Sequence, residues 1–198
     1  MARVSNLNAT KDDSSERLIS YLIRHQHWSP FEMVNLCVSV DCPRDISRQL
    51  LRHRSLTFQE FSGRYSAYQT LLEDRECRLQ DTKNRQNSLP VRHDDETSKR
   101  WLLLVRMVRD TCFKAYDMAL SMGVAKEVAR ILLPEGLVPT RLYINGTVRS
   151  WIHYINIRTG PETQKEHRDV ALQIKAEFCR QFPQIAAAVG YETHTEAG

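Results

Sequence analysis

Leu18, Ile19, Leu22 and Ile23 recur at helical spacing and predict a first helix over residues 14–24, with Asp13 and Glu16 spaced as a capping box. Between residues 33 and 40 the period drops to two. Val34, Leu36, Val38 and Val40 fall on one face and Asn35, Cys37 and Ser39 on the other, the pattern of a half-buried strand. Pro43 then suits the first turn of a short helix that buries Ile46 and Leu50 and turns Arg44, Arg48 and Arg52 to its polar side.

Residues 66–100 are polar and weakly periodic, and residues 84–96 read as a mobile loop. Thr97 or Ser98 caps a long helix reaching residue 122, whose apolar face holds Leu104, Val105, Val108, Cys112, Tyr116 and Ala119 before Gly123 breaks it. A shorter helix over 124–133 stops at Pro134, a strand covers 140–144, and a helix covers 147–158. After Gly160-Pro161 a last amphipathic helix over 162–182 carries Val170, Ile174 and Phe178, and residues 190–198 form a frayed tail. No internal repeat is visible. The expected fold is α+β, with an antiparallel or mixed sheet among several helices in a single domain over residues 1–198.

A length of 198 residues with 41% apolar and 26% charged residues fits one globular domain and excludes collagen-like, coiled-coil and wholly disordered chains. No apolar run approaches the roughly 20 residues needed to cross a bilayer, and the polar start lacks a signal-peptide core, so the chain is expected to be neither membrane-spanning nor secreted. Five cysteines without a Cys-x-x-Cys pair point to reduced thiols in the cytoplasm and offer no zinc site. The net charge is only +4, yet the 28 basic residues include just seven lysines. Arginine presents a rigid fork of donors that grips phosphates and carboxylates through two bonds, so the bias suggests anion recognition.

The chemistry concentrates in the run Arg52-His53-Arg54-Ser55-Leu56-Thr57-Phe58-Gln59-Glu60-Phe61-Ser62-Gly63-Arg64-Tyr65. Three basic side chains at a helix end, then hydroxyls and an acid, then Ser-Gly-Arg-Tyr, suit a loop whose backbone approaches an anion closely at Gly63. If the second helix persists to His53, Gln49 shares a face with Arg52 and His53. Spacing alone leaves open a solvated basic loop at a helix C-terminus, where arginines are favourable in any case.

Arg-His-Arg, seven residues, Ser, then Gly-Arg-Tyr resembles the signature of flavin-dependent thymidylate synthases. The resemblance extends through Ala2-Arg3-Val4-Ser5 and His25-Gln26-His27-Trp28-Ser29-Pro30-Phe31-Glu32 upstream. Downstream it continues in Glu127-Val128-Ala129-Arg130 and Arg149-Ser150-Trp151-Ile152-His153 through Arg158, so it spans nearly the whole chain in order. It implies methylation of dUMP to dTMP, with carbon from methylenetetrahydrofolate and reducing power from NADPH through bound FAD. It also implies a homotetramer with sites built at subunit boundaries, in the cytoplasm of the cell or of a viral host. Nucleic acid and membrane are not expected partners.

By the same resemblance Ser5, His27, Ser29, Glu32, Arg52, His53, Arg54, Glu60, Arg149 and His153 hold flavin or face it. Gln49, Glu60, Ser62, Gly63, Arg64, Arg130 and Arg158 surround dUMP, with Arg64 and Arg130 as phosphate partners. Arg158 and Ser62 are the catalytic candidates: Arg158 faces the pyrimidine and stabilises charge as C5 becomes nucleophilic, and Ser62 bonds the nucleotide rather than attacking it, since no adjacent base is evident. Arg149 and Arg158, nine residues apart, lie on opposite sides of a straight helix, so one helix serves two ligands. Glu127 and Arg130, three apart, are expected to pair when no ligand is present.

Other features have plainer readings. His25 and His27 lack the further ligands a metal needs, and Trp101 and Trp151 occupy apolar helical positions expected in the core. The sequence departs from the family pattern at Gln59, at Thr147 and at Glu162, where a flavin-side histidine is common; Glu162 is expected to point away from flavin or pair with a base. The start close to Ala2 reads as a shortened form, and the run 162–167 resembles versions from large algal viruses. A reading from another class is an arginine-rich RNA- or nucleotide-binding module that stacks bases on Trp28, Tyr65 and Tyr68.

Overall fold

The computed structural model describes Arg3, residues 14–72 and residues 74–191. In chain order these form helix α1 (Ser15–Arg24), a 3-10 turn (Ser29–Glu32), strand β1 (Asn35–Pro43), helix α2 (Arg44–Leu50) and strand β2 (Leu56–Glu60). Strands β3 (Arg78–Gln80) and β4 (Ser88–Pro90), helices α3 (Glu96–Ser121) and α4 (Lys126–Ala129), and 3-10 turns at Arg130–Leu132 and Glu135–Leu137 follow. Strand β5 (Pro139–Thr147) and helices α5 (Val148–Arg158), α6 (Lys165–Gln181) and α7 (Pro183–Val189) complete an α+β chain. A three-stranded sheet has the order β1-β5-β2. The hairpin β3-β4 pairs antiparallel, with Arg78 opposite Pro90 and Leu79 opposite Leu89. Among the described residues no helix is long and apolar enough to cross a membrane.

The chain divides into two compact units, one of Met1–Val38, Arg54–Thr57 and Ile144–Gly198, the other of Ser39–His53 and Phe58–Tyr143. In the first, α7 packs on α1 and α6, and α5 packs on α6 and on the 3-10 turn Ser29–Glu32. Trp151, Tyr154, Ile155 and Phe178 are fully buried. The Trp151 indole N–H donates to the Leu36 carbonyl at 2.9 Å, which satisfies its polar atom inside the core. In the second unit Ile46 and Leu50 bury the inner face of α2, and Tyr68, Leu71, Tyr116, Ala129 and Val138 form a core cluster. Asp45, in the first turn of α2, takes two bonds from Arg75 at 2.8 and 2.9 Å.

The period-two and 3.6-residue patterns place most elements, and the departures have local causes. Helix α1 starts after Ser14, not Asp13, which lies outside the described residues. Pro43 ends β1 and is the N-cap of α2, its extended backbone (ψ 147°) joining the two without a loop. Strand β1 accordingly runs from Asn35 rather than Met33, and alternates to Cys42. The Asp95 carboxylate, not Thr97 or Ser98, caps α3 by accepting the Thr97 N–H at 2.7 Å. Trp101 is 39% exposed rather than core, its indole N–H satisfied by the Arg75 carbonyl at 2.8 Å. The 124–133 helix is a single turn of α-helix followed by a 3-10 turn, and the helix expected over 162–182 is α6, Lys165–Gln181, with the separate helix α7 following at Pro183. Residues 84–96 comprise turns, strand β4 and the N-cap of α3. Gly190 caps α7, and the Tyr191 hydroxyl reaches Asn156 Oδ1 at 2.8 Å.

Gly123 ends α3 in the left-handed region (φ +83°), with its own N–H on Leu120 and the Val124 N–H on Ala119, both at 3.0 Å. Helix α1 ends in the same motif through a residue that favours it less. Gln26 has φ +57°, its N–H donates to Ile23, and the His27 N–H donates to Leu22 at 2.8 Å.

Candidate active site

The run 52–65 is not a loop throughout: Leu56–Glu60 is strand β2, with Leu56 buried. Helix α2 stops at Leu50. Tighter turns carry Arg52 and His53 beyond it, through Arg52 N–H on Gln49 and His53 N–H on Leu50, so Gln49 does not share a continuous helical face with them. Residues 62–66 form a turn in which the Tyr65 and Ser66 N–H groups donate to the Ser62 carbonyl.

In the second unit, Arg44 and Arg48 from α2 and Arg130 from the turn after α4 line a cavity of about 410 Å³ together with Glu127, Glu135 and Tyr68, a size suited to a small ligand. Helix α2 packs on the turn Glu135–Leu137, and the Arg48 Nε donates to Glu135 Oε1 at 2.6 Å. This bond holds the guanidinium more firmly protonated than usual. Arg64 donates to Glu127 Oε2 at 3.3 Å. Arg130 does not pair with the Glu127 carboxylate; its Nε donates instead to the Glu127 backbone carbonyl at 3.2 Å. Both carboxylates engage side chains half exposed to water. Such pairs contribute little stability, so displacing either carboxylate from its guanidinium costs little.

Glu60, at the end of β2, is held differently. Thr140 donates to its Oε1 at 3.0 Å, the Ser47 hydroxyl lies 2.7 Å from the same oxygen, and Arg44 Nη2 stands 3.6 Å from Oε2. Gly63 is buried, and the space beside it is filled: a Cβ there would lie 2.7 Å from Tyr68 Cε2. Glycine is therefore required by the Tyr68 ring. Nothing in the sequence pattern singles out Arg44, Arg48, Ser47 or Thr140 as parts of this site, because their partners are remote in the chain.

The first unit holds other predicted residues. The turn Ser29–Glu32 packs on α5, which brings the Glu32 carboxylate into an ion pair with Arg149, one turn of helix before His153. His27 follows α1, its ring 5.9 Å from that of Tyr21 and 6.1 Å from that of His25. Arg158 closes α5, and exposed Arg54 lies in the short turn before β2. Thr147 caps α5 by accepting the Ser150 N–H at 3.1 Å. The Glu162 carboxylate folds over Gly160. Exposed guanidinium and imidazole groups beside a carboxylate are a donor set that fits the phosphates and polar ring edge of a flavin dinucleotide. Ser5 lies outside the described residues. Among the described residues no group of three or more His, Cys, Asp or Glu side chains is placed to hold a metal.

This α+β chain, with three guanidiniums lining one cavity, has clear relatives. Residues 1–184 match the family described as thymidylate synthase complementing protein. The flavin-dependent thymidylate synthase of Synechocystis sp. is 47% identical over 95% of this chain and 86% of the relative. A probable flavin-dependent thymidylate synthase of Paramecium bursaria Chlorella virus 1 is 43% identical over 96% and 88%. The crystal structure of the UMP/dUMP methylase PolB from Streptomyces cacaoi, bound with 5-Br UMP, superposes with a TM-score of 0.76 at 25% identity, covering 93% of this chain and 87% of that one. The chain belongs to the flavin-dependent thymidylate synthase family. No finding favours the RNA-binding alternative, and Tyr68, one of its three stacking residues, is 7% exposed and closed to a base.

Proposed function

We propose that this chain methylates dUMP to dTMP, with FAD as bound cofactor, methylenetetrahydrofolate as carbon donor and NADPH as reductant. The observation that carries this reading is the convergence of Arg44, Arg48 and Arg130 on one cavity, with Arg64 beside it on Glu127, in a chain matched to the family over residues 1–184. The flavin supplies the redox chemistry. The chain supplies binding, orientation and charge. Arg64 and Arg130 take the phosphate of dUMP, displacing Glu127, and Gln49, Ser62 and the Gly63 backbone bracket the nucleoside. Arg158 presents its guanidinium to the pyrimidine oxygens and stabilises the negative charge that develops as C5 attacks the methylene carbon. Glu32, Arg149, His153, His27, Ser29, Arg52, His53 and Arg54 hold the flavin.

The active form is a homotetramer with sites completed across subunits. Its support is the run of exposed apolar side chains on α3, Leu103, Leu104, Met107 and Met118, a surface of the kind that covers itself by association. Tritium release from C5-labelled dUMP, dependent on NADPH and folate, tests the activity directly. Arg158→Ala is expected to keep bound flavin and lose most nucleotide affinity and turnover. Unaltered dUMP binding in that variant removes the role given to Arg158, and a colourless protein that releases no tritium removes the activity.

A further inference from the structure

We propose that Arg44 and Tyr68 are positioning residues of the nucleotide site, which together hold Glu60 and Gly63 in place; the inference rests on the reading of those two as nucleotide contacts. Arg44 Nη1 donates to the Tyr68 hydroxyl at 2.7 Å, and its Nη2 stands 3.6 Å from Glu60. Its side chain is largely buried, unlike Arg48 and Arg64. Where those two carry counterions that a phosphate displaces, Arg44 is fixed before any ligand arrives. Tyr68 is fixed in turn. Its N–H donates to the Tyr116 hydroxyl at 3.2 Å, and its ring lies between those of Phe61 and Tyr116, at centroid distances of 5.4 and 6.3 Å. The same ring abuts Gly63. One tyrosine anchored in the core thus sets the height of the Ser62–Arg64 turn and, through Arg44, the orientation of the Glu60 carboxylate. A preorganised acceptor and turn bind the nucleotide without first being ordered.

The test uses the flavin-loaded enzyme with Arg44→Met, Arg44→Lys and Tyr68→Phe. Loss of the Arg44–Glu60 ion pair and of the bond to Tyr68 in Arg44→Met raises the KM for dUMP by about tenfold or more while kcat changes far less, because the interaction acts on binding. Arg44→Lys recovers part of the lost KM but not all of it, because an ammonium keeps the charge and lacks the fork. Tyr68→Phe keeps the ring on Gly63, releases Arg44 and raises KM in the same direction, which preserves the test if Arg44→Met folds poorly. An Arg44→Met or Tyr68→Phe enzyme with the parent's KM, or one whose kcat falls while KM holds, overturns the proposal. A parent that binds no dUMP overturns the functional reading instead.

Discussion

Replacing Gly63 by alanine adds one methyl group where there is no room for it. The new Cβ would lie 2.7 Å from Tyr68 Cε2, 2.8 Å from its hydroxyl and 3.0 Å from Cζ, against the roughly 3.5–4.0 Å of ordinary contact between carbon atoms. A shift on the order of 1 Å is therefore needed. The ring resists it, being 7% exposed, held at its hydroxyl by Arg44 and at its backbone by Tyr116. Overpacking of this kind costs about 1–3 kcal/mol, which in a protein of this length lowers the melting temperature by about 2–12 °C. Thermal and urea unfolding of the flavin-loaded Gly63→Ala enzyme measure it. Tyr68→Leu, which clears the space, is itself destabilising through the lost core packing. In the double variant the added methyl costs less than in the parent, with a coupling of about 0.5–3 kcal/mol. Two substitutions that simply add, or a Gly63→Ala enzyme as stable as the parent, refute the claim that Tyr68 is the reason for glycine here.

Gln26→Gly relieves a left-handed residue at the end of α1 (φ +57°). The relief of about 1–2 kcal/mol is partly offset by a freer unfolded chain, so the melting temperature should rise by about 1–4 °C, whereas Gln26→Val should lower it. The Arg141 guanidinium holds the Asp41 carboxyl below its usual range. Its folded pKa being depressed, the pair's contribution is present above the unfolded value of about 3.9 and lost as pH falls through the folded one. Asp41→Asn is thus expected to cost a little stability at neutral pH, less in high salt, and nothing in strong acid, as read by urea titration at each pH. Burial pushes the Cys42 thiol up to about 12, and Cys37 is exposed. Iodoacetamide at pH 8 should modify Cys37 first and reach Cys42 only on unfolding, which peptide mass spectrometry resolves.

Elements that repeat a local pattern were legible in the sequence. The alternation of Leu36, Val38 and Val40 and the helical spacing through Ile46 and Leu50 follow from which side of a strand or helix a residue occupies, and that depends only on nearby sequence. The same locality explains the ordered motifs from Arg52 to Tyr65 and from Glu127 to Arg130, which carry the family resemblance in the sequence alone. Strand β2 was not legible, because five residues rich in polar groups become a strand only by joining β5 in the sheet.

Partner choice belonged to the tertiary structure alone. Glu127 and Arg130 share a helical face, yet the carboxylate takes Arg64, 63 residues away, and leaves Arg130 to a backbone carbonyl. Arg44 reads as one of several arginines on a polar stripe until the fold sets Tyr68 against it and Glu60 beside it. Periodicity records which face of an element turns inward. Which remote face it meets, and so which charge is fixed and which is displaceable, is decided only when the elements pack.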